Sequence, residues 1–382
     1  MTPPPLPYGR QTIDEADIAA VEAVLRSDFL TTGPQVALFE NDFAAVVGAQ
    51  HAVACSSGTA ALHLALLAQG VRKGDVCIVP SITFLATANA VRHVGAEVAF
   101  ADVDPHSGLM TPDTLSQALA RADGRRVGAV LPVHLRGEVC DTATLGRLAE
   151  SAGAVLIEDA AHALGSRGVG GMVGSNAHAP LTCFSFHPVK TICTGEGGMV
   201  TTSDADLARR LREYRSHGMT YPAGAEPWVY EMHAPGFNYR LPDILCALGR
   251  SQLAKLPAFA KRRKELAALY AEQLTLLVPA ARPAASPAGS DATPHLMTVL
   301  IDFESLGVTR AVVMAALKAR GIGSQVHYIP VHSQPYYRER YGELDLPGSD
   351  AWYARALSLP LFPAMTDGDV SRVVDALAQV LG

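Results

Sequence analysis

The 382-residue chain reads as an α/β protein, a mostly parallel sheet flanked by helices, with a smaller C-terminal α/β domain. Three observations predict this. Short β-branched runs alternate with helical patterns over the first half, the βαβ rhythm that builds a parallel sheet covered on both faces. The length exceeds the usual single-core size, so one large and one smaller domain are expected. Beyond a long amphipathic helix the pattern restarts with a strand and two more helices.

In order, residues 53–56 form a strand that leads into a helix over 59–69, and 76–79 a strand that leads into a helix over 84–94. Residues 98–101 close that unit. Strands over 129–133 and 154–157 flank a helix over 142–152, and 182–186 and 198–202 add two more strands. Residues 204–217 start acidic and end basic, as a helix dipole favours. The helix over 258–277 is amphipathic and rich in Lys and Arg. Residues 279–294, dense in Pro, Ala, Ser and Gly, predict an exposed, mobile loop. A strand over 297–302, a helix over 310–320 and a last helix over 367–381 outline the small domain. The expected division is an N-terminal arm over 1–12, a large domain over 13–248 and a small domain over 249–382.

Composition excludes several functions. Net charge is −6 and the 31 Lys and Arg form no long block, so no nucleic-acid partner is expected. Apolar runs such as 60–68 are too short for a bilayer, and the proline-rich start lacks the basic and apolar segments of an export signal. A cytoplasmic protein is expected. The six cysteines contain no Cys-x-x-Cys and lie in apolar segments, so they read as reduced core thiols without a metal site.

Lys190 carries the strongest chemical signal. It follows Ser185-Phe186-His187-Pro188-Val189 and precedes Thr194-Gly195-Glu196-Gly197-Gly198. A lysine beside glycines is by default a solvated loop residue; held at a strand end it is partly desolvated and loss of its proton becomes feasible, as a Schiff-base lysine requires. Upstream, Val155-Leu156-Ile157-Glu158-Asp159 ends an apolar strand with an acid, where a partner for a pyridinium nitrogen would sit. Together they suggest pyridoxal 5′-phosphate (PLP). In Cys55-Ser56-Ser57-Gly58-Thr59-Ala60-Ala61-Leu62 a strand gives way to a helix N-terminus. Alone this is first an N-cap; beside a PLP lysine it becomes a phosphate cup, to which Ser185 can add a contact. Phe84 is a core residue by default and can also stack on a flat ring; His162 and His187 are structural by default.

These pieces, with Glu158-Asp159-Ala160-Ala161-His162 and Gly236-Phe237-Asn238-Tyr239-Arg240, occur in the order of the DegT/StrS-type nucleotide-sugar aminotransferases, which the chain resembles over nearly its whole length. The resemblance implies the fold type I PLP aminotransferase architecture and a homodimer with shared active sites. It implies that Lys190 binds the cofactor covalently and shuttles the proton, and that Asp159 pairs with the pyridine nitrogen. Gly58, Thr59 and Ser185 then match phosphate contacts, Phe84 the stacking position, His162 a residue near the cofactor hydroxyl, and Asn238 a phosphate contact from the neighbouring subunit.

Pro7-Tyr8-Gly9-Arg10-Gln11, Ser27-Asp28-Phe29-Leu30-Thr31-Thr32-Gly33-Pro34, His327-Tyr328-Ile329-Pro330-Val331-His332 and Leu357-Ser358-Leu359-Pro360-Leu361-Phe362-Pro363 resemble the branch that makes UDP-4-amino-4,6-dideoxy-N-acetyl-β-L-altrosamine in pseudaminic acid biosynthesis. The resemblance implies a UDP-sugar acceptor, glutamate as amino donor, and substrate contacts from Tyr8, His187, Arg240, His327 and Tyr328. Alternatives are a 3- or 4-aminotransferase acting on a dTDP or GDP sugar, or a PLP-binding sensor without turnover. A family dehydratase would carry His in place of Lys190. Arg136 and Glu138 depart from the small or amide residues usual in the family, and the 279–294 stretch is peculiar to this chain.

Overall fold

A computed structural model describes residues 4–122 and 124–382. Seven strands form the central sheet in the order His51–Cys55, Gly198–Thr202, Leu181–Ser185, Val155–Asp159, Val127–Val130, Val76–Pro80, Glu97–Ala101. Neighbours from Leu181–Ser185 through Glu97–Ala101 pair parallel, whereas Gly198–Thr202 is antiparallel to both of its neighbours. Two reversals restore direction, so six of the seven strands point the same way. Their C-terminal ends, and the loops that follow, gather on one edge, where open α/β sheets bind ligands.

The strands are buried on both faces, which is why they read as unbroken apolar runs. Ala52, Val53, Ile78, Val79, Ala129, Ile157 and Leu181 are fully buried or nearly so. On one face Phe39 and Phe43, from helix Pro34–Val47, meet Phe184 and Phe186 with ring centroids 5.1–5.6 Å apart. Each such ring contributes about 1.5–3 kcal/mol by burial. The other face takes helices Gly58–Ala68 and Leu85–His93.

The second core lies C-terminal. Strands Ala281–Pro283, Met297–Ile301 and Ala356–Leu359 pair antiparallel, packed by helices Leu256–Leu277, Arg310–Ala319 and Asp367–Leu381. Tyr270, fully buried, donates its hydroxyl to the Pro360 carbonyl at 2.9 Å. The N-terminal arm is sewn to this unit. Leu6 N–H donates to Gly321 O at 2.8 Å, Gly323 N–H to Leu6 O at 2.7 Å, and Leu361 N–H to Tyr8 O at 3.1 Å. These bonds aim Tyr8 at the sheet edge.

Helix Asp243–Ala254 runs unbroken across residue 248, with Gly249 packed against the Phe39 ring, and the chain turns at Lys255. One expectation is corrected. The 279–294 stretch is no free loop. It begins as a strand, and Thr293 is fully buried. Ser286 and Ser290 donate their hydroxyls to the two Glu138 carboxylate oxygens at 2.7 and 2.9 Å, while Thr293 N–H donates to Ser166 Oγ at 2.9 Å. It is exposed along much of its length, as expected, with Arg282, Ala285, Ala288 and Asp291 among the exposed residues. All six cysteines are free and buried. No helix among the described residues is long and apolar enough to cross a membrane.

Candidate active site

A cavity of about 610 Å³ opens at the C-terminal strand edge. Strand Val155–Asp159 delivers Asp159 to its floor, and strand Leu181–Ser185 delivers Ser185 and, one turn later, Lys190. That turn is closed by Lys190 N–H donating to His187 O at 2.8 Å.

Asp159 is held on all sides. Thr87 donates its hydroxyl to Oδ2 at 2.7 Å, and Ala161 N–H donates to Oδ1 at 3.1 Å. Its backbone bonds to Pro132 O and His134 N–H at 2.9 and 3.0 Å. Burial pushes the carboxyl above its ordinary value, whereas Thr87, Ala161 and the Lys190 ammonium pull it back. Anionic Asp159 therefore wants a cationic partner in the cavity. Lys190 is displaced in the opposite sense. Burial of its ammonium lowers it to about 8, with the Asp159 carboxylate opposing. A neutral amine is thus accessible near physiological pH.

The helix Gly58–Ala68 starts at the same edge. Ser57 caps it, its hydroxyl accepting from Ala60 N–H at 3.1 Å. Among the described residues nothing accepts from the N–H groups of Gly58 and Thr59. A Cβ on Gly58 would lie 2.8 Å from Ser185 Cβ and 3.1 Å from its Oγ. Only glycine lets the helix end approach the serine hydroxyl, and free amides, a dipole and a hydroxyl at one spot suit a phosphate. Phe84 is not core: it is 57% exposed, at the cavity wall. The residues fit PLP, with an anion cradle, an amine, a flat aromatic wall and a buried carboxylate around one space.

Tyr8, His162, His187, His327 and Tyr328 also line the cavity. His327 is buried, its Nδ1 lying 2.9 Å from Ser358 Oγ, and burial lowers it to about 3, so it meets a ligand as a neutral imidazole. Asn238 and Arg240 do not line the cavity of this chain. Asn238 is exposed and bridged to Ser216, and Arg240 is half-buried. Sequence reading missed Thr87, whose only signal was its spacing of four from Thr83. The two hydroxyls lie 2.7 Å apart and relay onto Asp159.

The chain is 40% identical over 384 residues, 98% of itself and 97% of the relative, to the spore coat polysaccharide biosynthesis protein SpsC of Bacillus subtilis (strain 168). It superimposes on PseC of Helicobacter pylori, an aminotransferase involved in pseudaminic acid biosynthesis, with TM-score 0.90 and 28% identity over 99% of each chain. It also superimposes on DesI, solved in the presence of its TDP-sugar product, with TM-score 0.88 and 35% identity over 99% of this chain and 93% of that one. Similar solved structures include PMP and PLP forms of a sugar aminotransferase. The model of the DegT/DnrJ/EryC1/StrS aminotransferase family matches residues 11–378, and the chain belongs to that family of PLP-dependent nucleotide-sugar aminotransferases.

Proposed function

We propose that this chain transfers an amino group from L-glutamate to C4 of UDP-2-acetamido-2,6-dideoxy-β-L-arabino-hex-4-ulose, giving UDP-4-amino-4,6-dideoxy-N-acetyl-β-L-altrosamine. The observation that carries the acceptor is the full-length likeness to PseC, together with the stretches around Tyr8, Phe29 and His327. PLP, when bound, supplies an aldehyde that carries the amino group from donor to acceptor and a ring that draws electrons from the reacting carbon.

The chain's own residues do the rest. Lys190 Nζ, lowered by burial to about 8 and so partly neutral near physiological pH, would hold the cofactor covalently and then take and return the α-proton. Asp159 holds positive charge on the ring. Gly58, Thr59 and Ser185 fix the phosphate, Phe84 covers one ring face, and His162 lies by the ring oxygen.

Among the described residues lining the cavity, Lys190 is the only Lys or Arg. The charge that meets a nucleoside diphosphate must therefore come from elsewhere, and we assign it to Arg240, arriving with Asn238 from the second subunit of a homodimer. Tyr8, His187, His327 and Tyr328 are assigned to the sugar nucleotide. We also retain a large and a small domain behind an N-terminal arm, with the boundary moved from residue 248 to the turn at Lys255.

The test is a panel of UDP- and dTDP-linked 4-keto-6-deoxy sugars and dTDP-3-keto sugars, with glutamate as donor. The UDP-β-L-arabino sugar should give the highest kcat/KM, with the new amine at C4. A preference for a dTDP sugar, the runner-up favoured by the DesI likeness, would overturn the acceptor and leave the aminotransferase standing.

The lowered Lys190 predicts a pH dependence. Covalent capture of PLP by cofactor-free protein, read as borohydride-fixable label, should accelerate as pH rises toward about 8 and level off above it. The carboxylate of Asp159 is what holds the lysine up, so Asp159→Asn should move that midpoint lower. A midpoint near the ordinary lysine value, or an upward shift in the variant, would count against this site.

A further inference from the structure

Arg136 stands at φ +66, a left-handed conformation unusual for a side-chain-bearing residue and held by many contacts. Its guanidinium donates to the carbonyls of Ser107 and Ala285 at 3.2 and 2.8 Å and lies 5.7 Å from the centre of the Trp352 ring. Its backbone reaches toward the site in both directions. Arg136 N–H donates to His162 Nδ1 at 3.3 Å, and Arg136 C=O accepts from His295 N–H at 2.8 Å. The His295 ring lies against the His162 ring with centroids 4.3 Å apart. The other nitrogen of His162, Nε2, is 3.2 Å from the hydroxyl of Tyr328.

The direction of each bond follows from chemistry. A backbone N–H can only donate, so Nδ1 of His162 is an acceptor and carries no proton. A neutral imidazole then keeps its proton on Nε2, which donates to Tyr328 Oη. Tyr328 O–H donating to His162 instead would require the opposite tautomer, which sets Nδ1–H against Arg136 N–H. Burial keeps both side chains neutral. It drives His162 well below its ordinary value, helped by Lys190 and His327, and raises Tyr328, helped by Asp159 and Tyr8. With its oxygen engaged by His162, Tyr328 has its own proton left to give. Tyr328 lines the cavity, and in a run of bonds donating the same way each strengthens the next.

We propose that Arg136, His162 and Tyr328 form a one-way hydrogen-bond relay in which the Arg136 backbone fixes the tautomer of His162 so that the Tyr328 hydroxyl donates to an anionic or carbonyl oxygen of the bound ligand. Arg136 and His162 are positioning residues toward Tyr328; His295, carried by the 284–295 stretch and tied to Arg136, shields the open face of the His162 ring. His295 and Arg136 therefore act together on one hydroxyl. The acceptor oxygen can belong to the cofactor ring or to the sugar nucleotide. The relay's role in turnover rests on the proposed aminotransferase site; its tautomer does not.

Nitrogen NMR of histidine-labelled, cofactor-free protein, assigned against His162→Gln, should show His162 with Nδ1 bare and Nε2 protonated. A protonated Nδ1 overturns the relay whatever reaction the enzyme catalyses. In the loaded enzyme Tyr328→Phe should lower amino transfer about 10- to 100-fold, the effect of losing one hydrogen bond to a charged oxygen. If the oxygen is the cofactor's, the absorbance band of bound PLP shifts; if it is the sugar's, the sugar-nucleotide KM rises and the band stays. Neither change in a folded variant overturns the proposal. His162→Leu should add little to Tyr328→Phe in the double variant, because both break one chain, whereas additive losses would mean independent roles. His162→Gln, whose amide can accept from Arg136 and donate to Tyr328, should retain most of what His162→Leu loses; equal loss in both contradicts the relay.

Discussion

Replacing Lys190 with alanine should abolish amino transfer while sparing the fold and much of the cofactor binding. The expected loss is at least about 10⁴-fold, the upper end for a positioned acid–base group, because the covalent anchor goes with it. PLP should still bind without covalent attachment, since the Gly58–Thr59 amides and Ser185 are untouched. Single-turnover kinetics and borohydride fixation measure the two effects separately. Fixation at another lysine, or residual turnover within a hundredfold, would remove Lys190 from its role. The same variant tests the shared site. Mixed with an Asn238 variant of low activity, Lys190→Ala should regain activity, because one of the two sites in each heterodimer then has both residues intact. No recovery despite demonstrated subunit exchange would put Asn238 in the site of its own chain, or in neither.

Much of this site is written in short stretches of sequence. Strand ends are legible because a strand buried on both faces is a plain apolar run, so the first polar residue after it stands out. Asp159 was found in the acidic pair that ends such a run, and Lys190 between such a run and a Gly-rich turn. Helix Pro34–Val47 carried equally plain signals that went unread, a proline at its first turn and Gly48 at φ +79 past its end. Other contacts were beyond local reading. The bonds from Ser286 and Ser290 to Glu138 join residues about 150 apart in sequence, and composition alone made that stretch a free loop. Arg136 stood out in sequence, yet only its backbone conformation reveals that it acts through His162. Phe84 followed the average behaviour of phenylalanine in sequence, whereas its position as the residue before helix Leu85–His93 turns it into the cavity. Asn238 and Arg240 are absent from the cavity lining of this chain, and their proposed place in the site rests on a second chain, which no intrachain pattern encodes.

Asp159→Asn should cost about 10²–10³-fold in turnover, the scale of removing one preorganised electrostatic partner from a water-excluded site. The substitution nearly preserves shape and removes the charge. Asp159 would hold the proton of the ring nitrogen of bound PLP, and an amide in its place would not, so proton abstraction by Lys190 should slow in both half-reactions alike. The structure separates this from a stability effect. Burial already disfavours the charged carboxylate, so a neutral amide relieves that strain even as it loses one of the two bonds, from Thr87 or from Ala161 N–H. A lost hydrogen bond of this kind costs about 1 kcal/mol, and the relieved desolvation offsets it. The cofactor-free variant should therefore melt within a few degrees of the parent. The stabilisation gained on adding PLP should shrink, because the variant has lost the anion proposed to face the ring nitrogen. Thermal denaturation with and without PLP, alongside the two half-reactions, reads all three quantities. A variant that turns over normally would refute the charge role. One that unfolds without cofactor would show that Asp159 is held for the fold, through Thr87 and Ala161, and not for the chemistry.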